Sequence, residues 1–127
     1  MAGFLAKLTG YTKKIRPDWV GEVHDARCRF EDIIFDSAAG ALSIRCWQLD
    51  ATVWKKLLVV FEGLPCPPAI IREETLPYYE LSTIYFDPDA KRVHICFHAG
   101  LSIEYSADQP RYSFRGPTGQ TRKEIIA

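Results

Sequence analysis

A regular alternation of apolar and polar residues constrains the fold of this chain more than any other feature. It runs through residues 92–98 and 101–106, where every second side chain is apolar, and through residues 84–86 at the end of the β-type run 81–86. A period of two residues predicts β-strands with one buried face and one solvated face. Joined as an antiparallel meander, these strands share one inner face, which is formed by Ile84, Phe86, Val93, Ile95, Phe97, Ile103 and Tyr105.

The turns between these strands predict how the strands align. Pairing Phe86 with Val93 places the Asp87-Pro88-Asp89-Ala90 segment in the first turn. The second connection is Ala99-Gly100-Leu101, in which Gly100 is predicted to adopt the left-handed conformation of a bulged hairpin. That connection pairs Phe97 with Ile103 and Ile95 with Tyr105.

An earlier hairpin follows the same pattern. If Phe35 faces Leu42 across the Asp36–Gly40 turn, then Ile33 faces Ile44 and one side of the hairpin is apolar. Residues 55–61 are apolar on both faces, which predicts a central, covered strand. The Pro-rich residues 64–68 that follow predict a loop.

These elements predict a mainly β fold in one domain over residues 1–127. We expect roughly six to eight mostly antiparallel strands in a curved open sheet or a small sandwich. Residues 1–18 form an N-terminal segment with a short helix predicted at residues 2–9. Residues 116–127 are predicted to be a loosely held tail.

Composition narrows the classes of function. The chain has 16 Lys and Arg against 16 Asp and Glu, so it lacks the basic surplus typical of nucleic-acid binding. No apolar run reaches signal-peptide or membrane-spanning length, so no membrane association is expected. The four cysteines show no CxxC pair and no secreted-scaffold spacing. Together these features predict a cytoplasmic protein.

Aromatic residues supply the first set of candidate functional residues. The aromatic content is 13%, and exposed Trp and Tyr side chains often anchor protein interfaces. The candidates for contact with a protein partner are Trp47, Trp54, Tyr78 and Tyr79. A homodimer formed through exposed edge strands is the other interaction to consider.

The outer face of the meander supplies a second set of candidates. His94, Cys96 and His98 alternate along one strand and point away from the core, with Tyr85 and Glu104 on neighbouring strands. These residue types bind small ligands or metal ions. However, His94 and His98 are separated by roughly 13 Å along a strand, too far for one ion. We therefore assign no metal ligands and predict no cofactor, and the alternative function is a small-ligand or metal-binding domain that uses the His94, Cys96, His98 and Glu104 face.

The adjacent residues His24 and Asp25 could be a catalytic base and its orienting carboxylate. Adjacent residues on a strand point to opposite faces, which favours a turn or capping role for Asp25 and a structural hydrogen bond for His24. The chain contains no phosphate-binding Gly-rich loop, no GxSxG elbow and no HExxH helix. We therefore expect a protein that is not an enzyme.

The order of these features resembles one known group of proteins. A Trp precedes His24-Asp25-Ala26, and an Asp-centred hairpin, a strand ending in Phe61-Glu62-Gly63 and a late His-rich strand follow. This order is similar to that of small β-rich bacterial immunity proteins of polymorphic toxin systems. The resemblance spans roughly residues 19–106. It implies a non-enzymatic protein that covers the active surface of a toxin.

Overall fold

A computed structural model describes residues 14–117 and the backbone of residues 121–125. The helix predicted at residues 2–9 lies outside this range. Over the described residues the structure has one short helix, one 3-10 turn and ten strands. They are α1 (Val20–Val23), β1 (Arg27–Cys28), the 3-10 turn (Phe30–Asp32), β2 (Ile33–Asp36), β3 (Ala41–Asp50), β4 (Val53–Glu62), β5 (Ala69–Arg72), β6 (Tyr79–Asp87), β7 (Arg92–Phe97), β8 (Leu101–Ser106), β9 (Arg111–Arg115) and β10 (Thr121–Ile125).

The described strands form one antiparallel sheet in the order β10-β9-β4-β3-β1-β6-β7-β8-β5, and β2 pairs with β3 beside this path. This arrangement confirms the predicted mainly β fold with an open sheet. The strand number is higher than expected because β1, β5 and β10 have weak sequence signals. β1 has two residues, β5 follows the Pro-rich loop, and β10 lies within the residues predicted as a tail.

Two of the predicted hairpins have the predicted register. Phe35 pairs with Leu42 in the β2–β3 hairpin, and Phe86 pairs with Val93 in the β6–β7 hairpin. In each turn an Asp carboxylate accepts hydrogen bonds from the backbone N–H groups two and three residues further on, at 3.0–3.2 Å. Such local bonds fix the turn and therefore the register of the strands on either side.

The predicted β7–β8 register is wrong by two residues. Ile95 pairs with Ile103, and Val93 pairs with Tyr105. The connection is residues 98–100 rather than residues 99–101, because β7 ends at Phe97 and β8 begins at Leu101. A shift of two residues keeps every side chain on its face, so the predicted inner residues are all buried. Gly100 has a φ of +77°, the left-handed conformation predicted for it.

The sheet curls around a single buried cluster. Phe61 on β4 meets Tyr105 on β8 with a ring-centre distance of 6.1 Å, although these strands lie far apart in the strand order. Trp19, just before α1, stacks on Phe114 of β9 at 5.3 Å and closes one side of the cluster. The core therefore faces the concave side of the sheet. The opposite face of β4, predicted to be covered, is only half-buried at Leu58 and Val60.

One charged group is buried at the margin of this core. Asp32 closes the 3-10 turn, and its carboxylate accepts hydrogen bonds from the backbone N–H and the guanidinium of Arg29 at 2.9–3.3 Å. Burial acts to raise the pKa of Asp32, but the hydrogen bonds from Arg29 outweigh it and lower that pKa below its usual value. The carboxylate is thus kept ionised by its partner.

All four cysteines are free thiols. Cys28 and Cys46 are buried and pack as small hydrophobic residues, whereas Cys96 is half-buried and Cys66 is exposed. A hydrogen bond with Cys28, together with burial, raises the pKa of Cys46 well above its usual value. Cys46 is therefore held as an unreactive thiol.

Candidate functional site

A cluster of exposed aromatic residues lies on the convex face of the sheet around Arg27. The Trp54 side chain is 47% exposed and the Tyr78 side chain is 40% exposed. The guanidinium carbon of Arg27 lies 5.2 Å from the ring centre of Trp54 and 4.4 Å from that of Tyr78. Both distances fall in the range of cation–π contacts. One arginine therefore fixes two exposed rings.

The strand register extends this cluster across the neighbouring strands. Trp47 on β3 pairs with Arg27 of β1 on one side and with Lys56 of β4 on the other. Because paired residues share a face, these three side chains form a row on the convex side. The Lys56 ammonium lies 5.6 Å from the Trp47 ring centre. We call Arg27, Trp47, Trp54, Lys56 and Tyr78 the aromatic–arginine patch.

Tyr79, the fourth aromatic candidate, does not belong to this surface. It is 1% exposed, and its ring packs in the core. Its hydroxyl donates to the carbonyl oxygen of Glu74 at 2.6 Å and accepts from Arg72 and from the backbone N–H of Leu76. Tyr78 and Tyr79 are neighbours at the start of a strand and point to opposite faces, so only one of them can reach a partner.

Three of the ligand-binding candidates lie together on the outer face of the meander. The rings of Tyr85 and His94 stack with centres 4.7 Å apart, and His94 Nδ1 lies 3.4 Å from a Glu104 oxygen. Arg92 donates to the other Glu104 oxygen at 2.9 Å. Burial raises the pKa of Tyr85. The side chains of Tyr85, His94 and Glu104 are thus already in contact with one another or with Arg92.

The N-terminal segment covers part of this face. Ile15 exchanges backbone hydrogen bonds with Phe86 at 2.7–2.9 Å. This bridge places the Lys14 ammonium 4.6 Å from the Tyr85 ring centre. Cys96 is half-buried here, and burial raises the pKa of its thiol despite the nearby positive charges of Lys14 and Arg16. The face is therefore a partly covered polar surface rather than an open ligand site.

His98 does not join that group. It follows the end of β7, and its Nε2 lies 2.6 Å from Asp25 Oδ1. His24 Nε2 lies 3.5 Å from the same oxygen, and the two imidazole rings are 5.4 Å apart. Within the part of the chain that the structure describes, these are the only three potential metal ligands that lie close enough together to share an ion.

The expectation that His24 and Asp25 point to opposite faces is wrong. They lie between α1 and β1, not on a strand, and Asp25 has a φ of +66°. This left-handed turn, which Asp tolerates better than most residues, directs both side chains toward His98. The predicted structural hydrogen bond of His24 is confirmed, because its Nδ1 lies 2.8 Å from the carbonyl oxygen of Ser82. Sequence reasoning missed His98 as the third member because 73 residues separate it from Asp25.

Comparison of this chain with protein-family models, with curated proteins and with solved structures found no match. The resemblance to immunity proteins therefore stays a prediction from the sequence. Among the described residues, no helix has the length and apolar character needed to cross a membrane. The aromatic–arginine patch and the cluster of His24, Asp25 and His98 are the two candidate sites on the described surface.

Proposed function

We propose that this chain is a non-enzymatic protein-interaction module whose aromatic–arginine patch binds an acidic surface of another protein. The observation that carries the proposal is the contact of Arg27 with two exposed rings, those of Trp54 and Tyr78. Trp, Tyr and Arg are the residues most enriched among binding hot spots. Rings already held by a cation lose little conformational freedom when a partner covers them.

An apolar side chain, that of Leu49, extends the patch on one side. Leu49 pairs with Trp54 across β3 and β4, and Leu49 is 52% exposed. An apolar centre beside charged residues is the usual anatomy of a protein interface. Leu49 supplies apolar area that a partner would remove from water.

Positive charges border the patch on the other side. Leu58 pairs with Arg45 on β3 and with Arg115 on β9, so both arginines share its face next to Lys56. Glu80, which pairs with Arg27 across β1 and β6, already has that guanidinium 3.9 Å away, and Asp50 at the end of β3 has Lys55 at 2.8 Å. This charge distribution favours an acidic partner, because complementary charge steers association and disfavours other partners.

The resemblance to bacterial immunity proteins suggests that the partner is a toxin and that the complex forms in the cytoplasm. Free thiols at all four cysteines suit a reducing compartment. A partner of this kind would be neutralised by having its functional surface covered, without any catalytic step by this chain. The aromatic–arginine patch is the surface that we assign to that role.

The test compares patch variants with a matched control. Tagged wild-type chain, Arg27→Ala, Trp54→Ala and Ile71→Ala are used as baits in lysate of the organism that carries the gene. Ile71 is as exposed as Trp54 but lies on the distant edge strand β5. The protein retained by the wild type is then purified, and its affinity for each variant is measured by calorimetry.

We expect each patch variant to weaken binding by more than roughly tenfold, as hot-spot truncations do, while Ile71→Ala binds like the wild type. Added salt should slow association with the wild type. If no protein is retained, or if the retained protein binds the patch variants as tightly as the wild type, the proposal is wrong. Retention of nucleic acid instead of protein, or self-association lost in Ile71→Ala, would equally overturn it.

A further inference from the structure

His24, Asp25 and His98 form a compact cluster outside the aromatic–arginine patch. One nitrogen or oxygen ligand atom from each residue lies within 4.8 Å of the other two. All three side chains are substantially exposed, so an ion can reach them from solvent. Nothing in the proposed protein-binding function requires this arrangement.

Three successive carbonyl groups of β6 hold the cluster in place. The Glu80 oxygen accepts from the backbone N–H of His98, and the Leu81 oxygen accepts from that of Asp25, at 2.8–2.9 Å. The third is the oxygen of Ser82, which accepts from the His24 ring. The ligands thus come from two separate parts of the chain, but all are fixed to the same strand.

A bulge in β6 allows its three carbonyl groups to contact the cluster. The register between β6 and β7 shifts between Leu81 and Thr83, so Ser82 has no direct partner on β7. A bulge redirects the backbone groups of the residues around it. On the other side, the Gln48 side chain donates to the His24 carbonyl oxygen at 2.7 Å and fixes the backbone of that residue. The cluster is therefore held before any ligand arrives.

We propose that His24, Asp25 and His98 bind one divalent first-row transition ion, with zinc as the representative. A carbonyl oxygen can only accept, so the His24 Nδ1 that contacts Ser82 must carry the proton, and the Nε2 of the neutral ring keeps its lone pair. A metal-binding histidine is usually oriented in this way, by a hydrogen bond from its other ring nitrogen to a carbonyl or carboxylate oxygen.

The ligand distances are close to those that a zinc ion needs. With bonds of about 2.0–2.1 Å in a tetrahedral site, ligand atoms lie about 3.3 Å apart. Asp25 Oδ1 lies 2.6 Å from His98 Nε2 and 3.5 Å from His24 Nε2. Since the three ligand atoms all lie within 4.8 Å of one another, small side-chain rotations suffice for all three to reach one ion.

Two imidazoles and one carboxylate select the class of ion. Imidazole favours zinc, copper, nickel and iron over calcium and magnesium, which prefer sets of oxygen ligands. Three protein ligands leave at least one coordination position for water or for a group of another molecule. The site is thus suited to hold an ion at the surface, where a further ligand can join it.

The test uses chain purified without a histidine tag, stripped with chelator and kept reduced. Zinc chloride is titrated by calorimetry, and cobalt chloride is titrated with visible absorption to report on coordination geometry. The variants are His24→Ala, Asp25→Asn and His98→Ala, with His94→Ala as the matched control, because His94 is the one other histidine of the chain. Asp25→Asn retains a residue that tolerates the left-handed conformation.

We expect the wild type and His94→Ala to bind one zinc ion per chain and to melt at a higher temperature when zinc is present. Each ligand variant should bind at least roughly tenfold more weakly and lose most of that thermal shift. Circular dichroism checks that each variant is folded. Absence of stoichiometric binding by the wild type would overturn the proposal. So would tight binding that persists in His24→Ala and His98→Ala, or that is lost in His94→Ala.

Discussion

Replacing Tyr79 by Phe removes one buried hydroxyl group that makes three hydrogen bonds. The hydroxyl donates to Glu74 O at 2.6 Å and accepts from Arg72 Nε at 2.8 Å and from Leu76 N at 3.2 Å. A bond between neutral groups contributes about 0.5–1.5 kcal/mol, and a bond to a charged group about 1.5–3 kcal/mol. Because the exposed Arg72 regains water when its bond is lost, we expect Tyr79→Phe to lower the free energy of unfolding by about 2–4 kcal/mol.

Tyr105→Phe is the matched control because it deletes the same atom at an equally buried ring. Tyr105 is 2% exposed, and its hydroxyl has no hydrogen-bond partner among the described residues. Burial raises the pKa of this hydroxyl, so it stays neutral. Removing an unpaired buried hydroxyl relieves a desolvation cost, so Tyr105→Phe should leave stability unchanged or raise it by up to about 1 kcal/mol.

Urea unfolding followed by circular dichroism measures both effects. A lower midpoint with an unchanged slope for Tyr79→Phe identifies a loss of native stability rather than a change in the unfolded state. Equal losses of unfolding free energy in the two variants would refute the reasoning. The hydrogen-bonded hydroxyl of Tyr79 would then stabilise the fold no more than the unpaired hydroxyl of Tyr105. The result also bears on function, since these bonds anchor the loop that carries Tyr78 of the patch.

Two further predictions concern titratable groups. The pKa of Asp32 is lowered in the folded state, so its charge stabilises the fold at pH values above about 4 and this contribution disappears as pH falls through the lowered pKa. The difference in unfolding free energy between wild type and Asp32→Asn should therefore shrink on acidification; a difference that grows would contradict the assignment. Among the thiols, Cys66 should react first with a water-soluble alkylating reagent, and Cys28 and Cys46 only after unfolding. Peptide mapping by mass spectrometry measures this order, and early labelling of Cys46 would contradict it.

The strands that could be predicted from the sequence are those with strong local signals. Alternating apolar residues and Asp-containing turns fix the β2–β3 and β6–β7 hairpins, and both have the predicted register. The β7–β8 register was wrong because a glycine-containing connection allows two positions of the turn that preserve the buried face equally well. The local sequence pattern does not distinguish these two turn positions.

The strands that were not predicted depend on contacts between distant parts of the chain. All four residues of β5 are exposed, and it is a strand because it pairs with the edge of β8. Likewise, β10 pairs only with β9. Neither segment has an alternation that would mark it in the sequence. Their positions follow from sheet edges that exist only after the rest has folded.

The candidate sites, like the strands, could be predicted only where the signal is local in the sequence. Three of the four aromatic candidates, Trp47, Trp54 and Tyr78, lie on the surface, but no local rule places Arg27 between Trp54 and Tyr78. The cluster of His24, Asp25 and His98 could not be predicted, because side chains alternate between faces only on a strand and the chain makes a left-handed turn at Asp25. A backbone conformation of that kind leaves little trace in a single sequence.

The two-residue strand β1 has a consequence for the whole sheet. Among the described strands, the ladder between β3 and β6 narrows to Arg27 and Cys28, with the hydrogen bonds of the preceding residues Asp25 and Ala26 to Leu81 beside it. Short ladders of this kind open more readily than long ones, and their amide hydrogens exchange earlier. Arg27 is also the centre of the aromatic–arginine patch. A partner bound there would hold the two parts of the sheet together where the ladder between them is shortest. Binding would then also make strands more rigid that the partner does not contact.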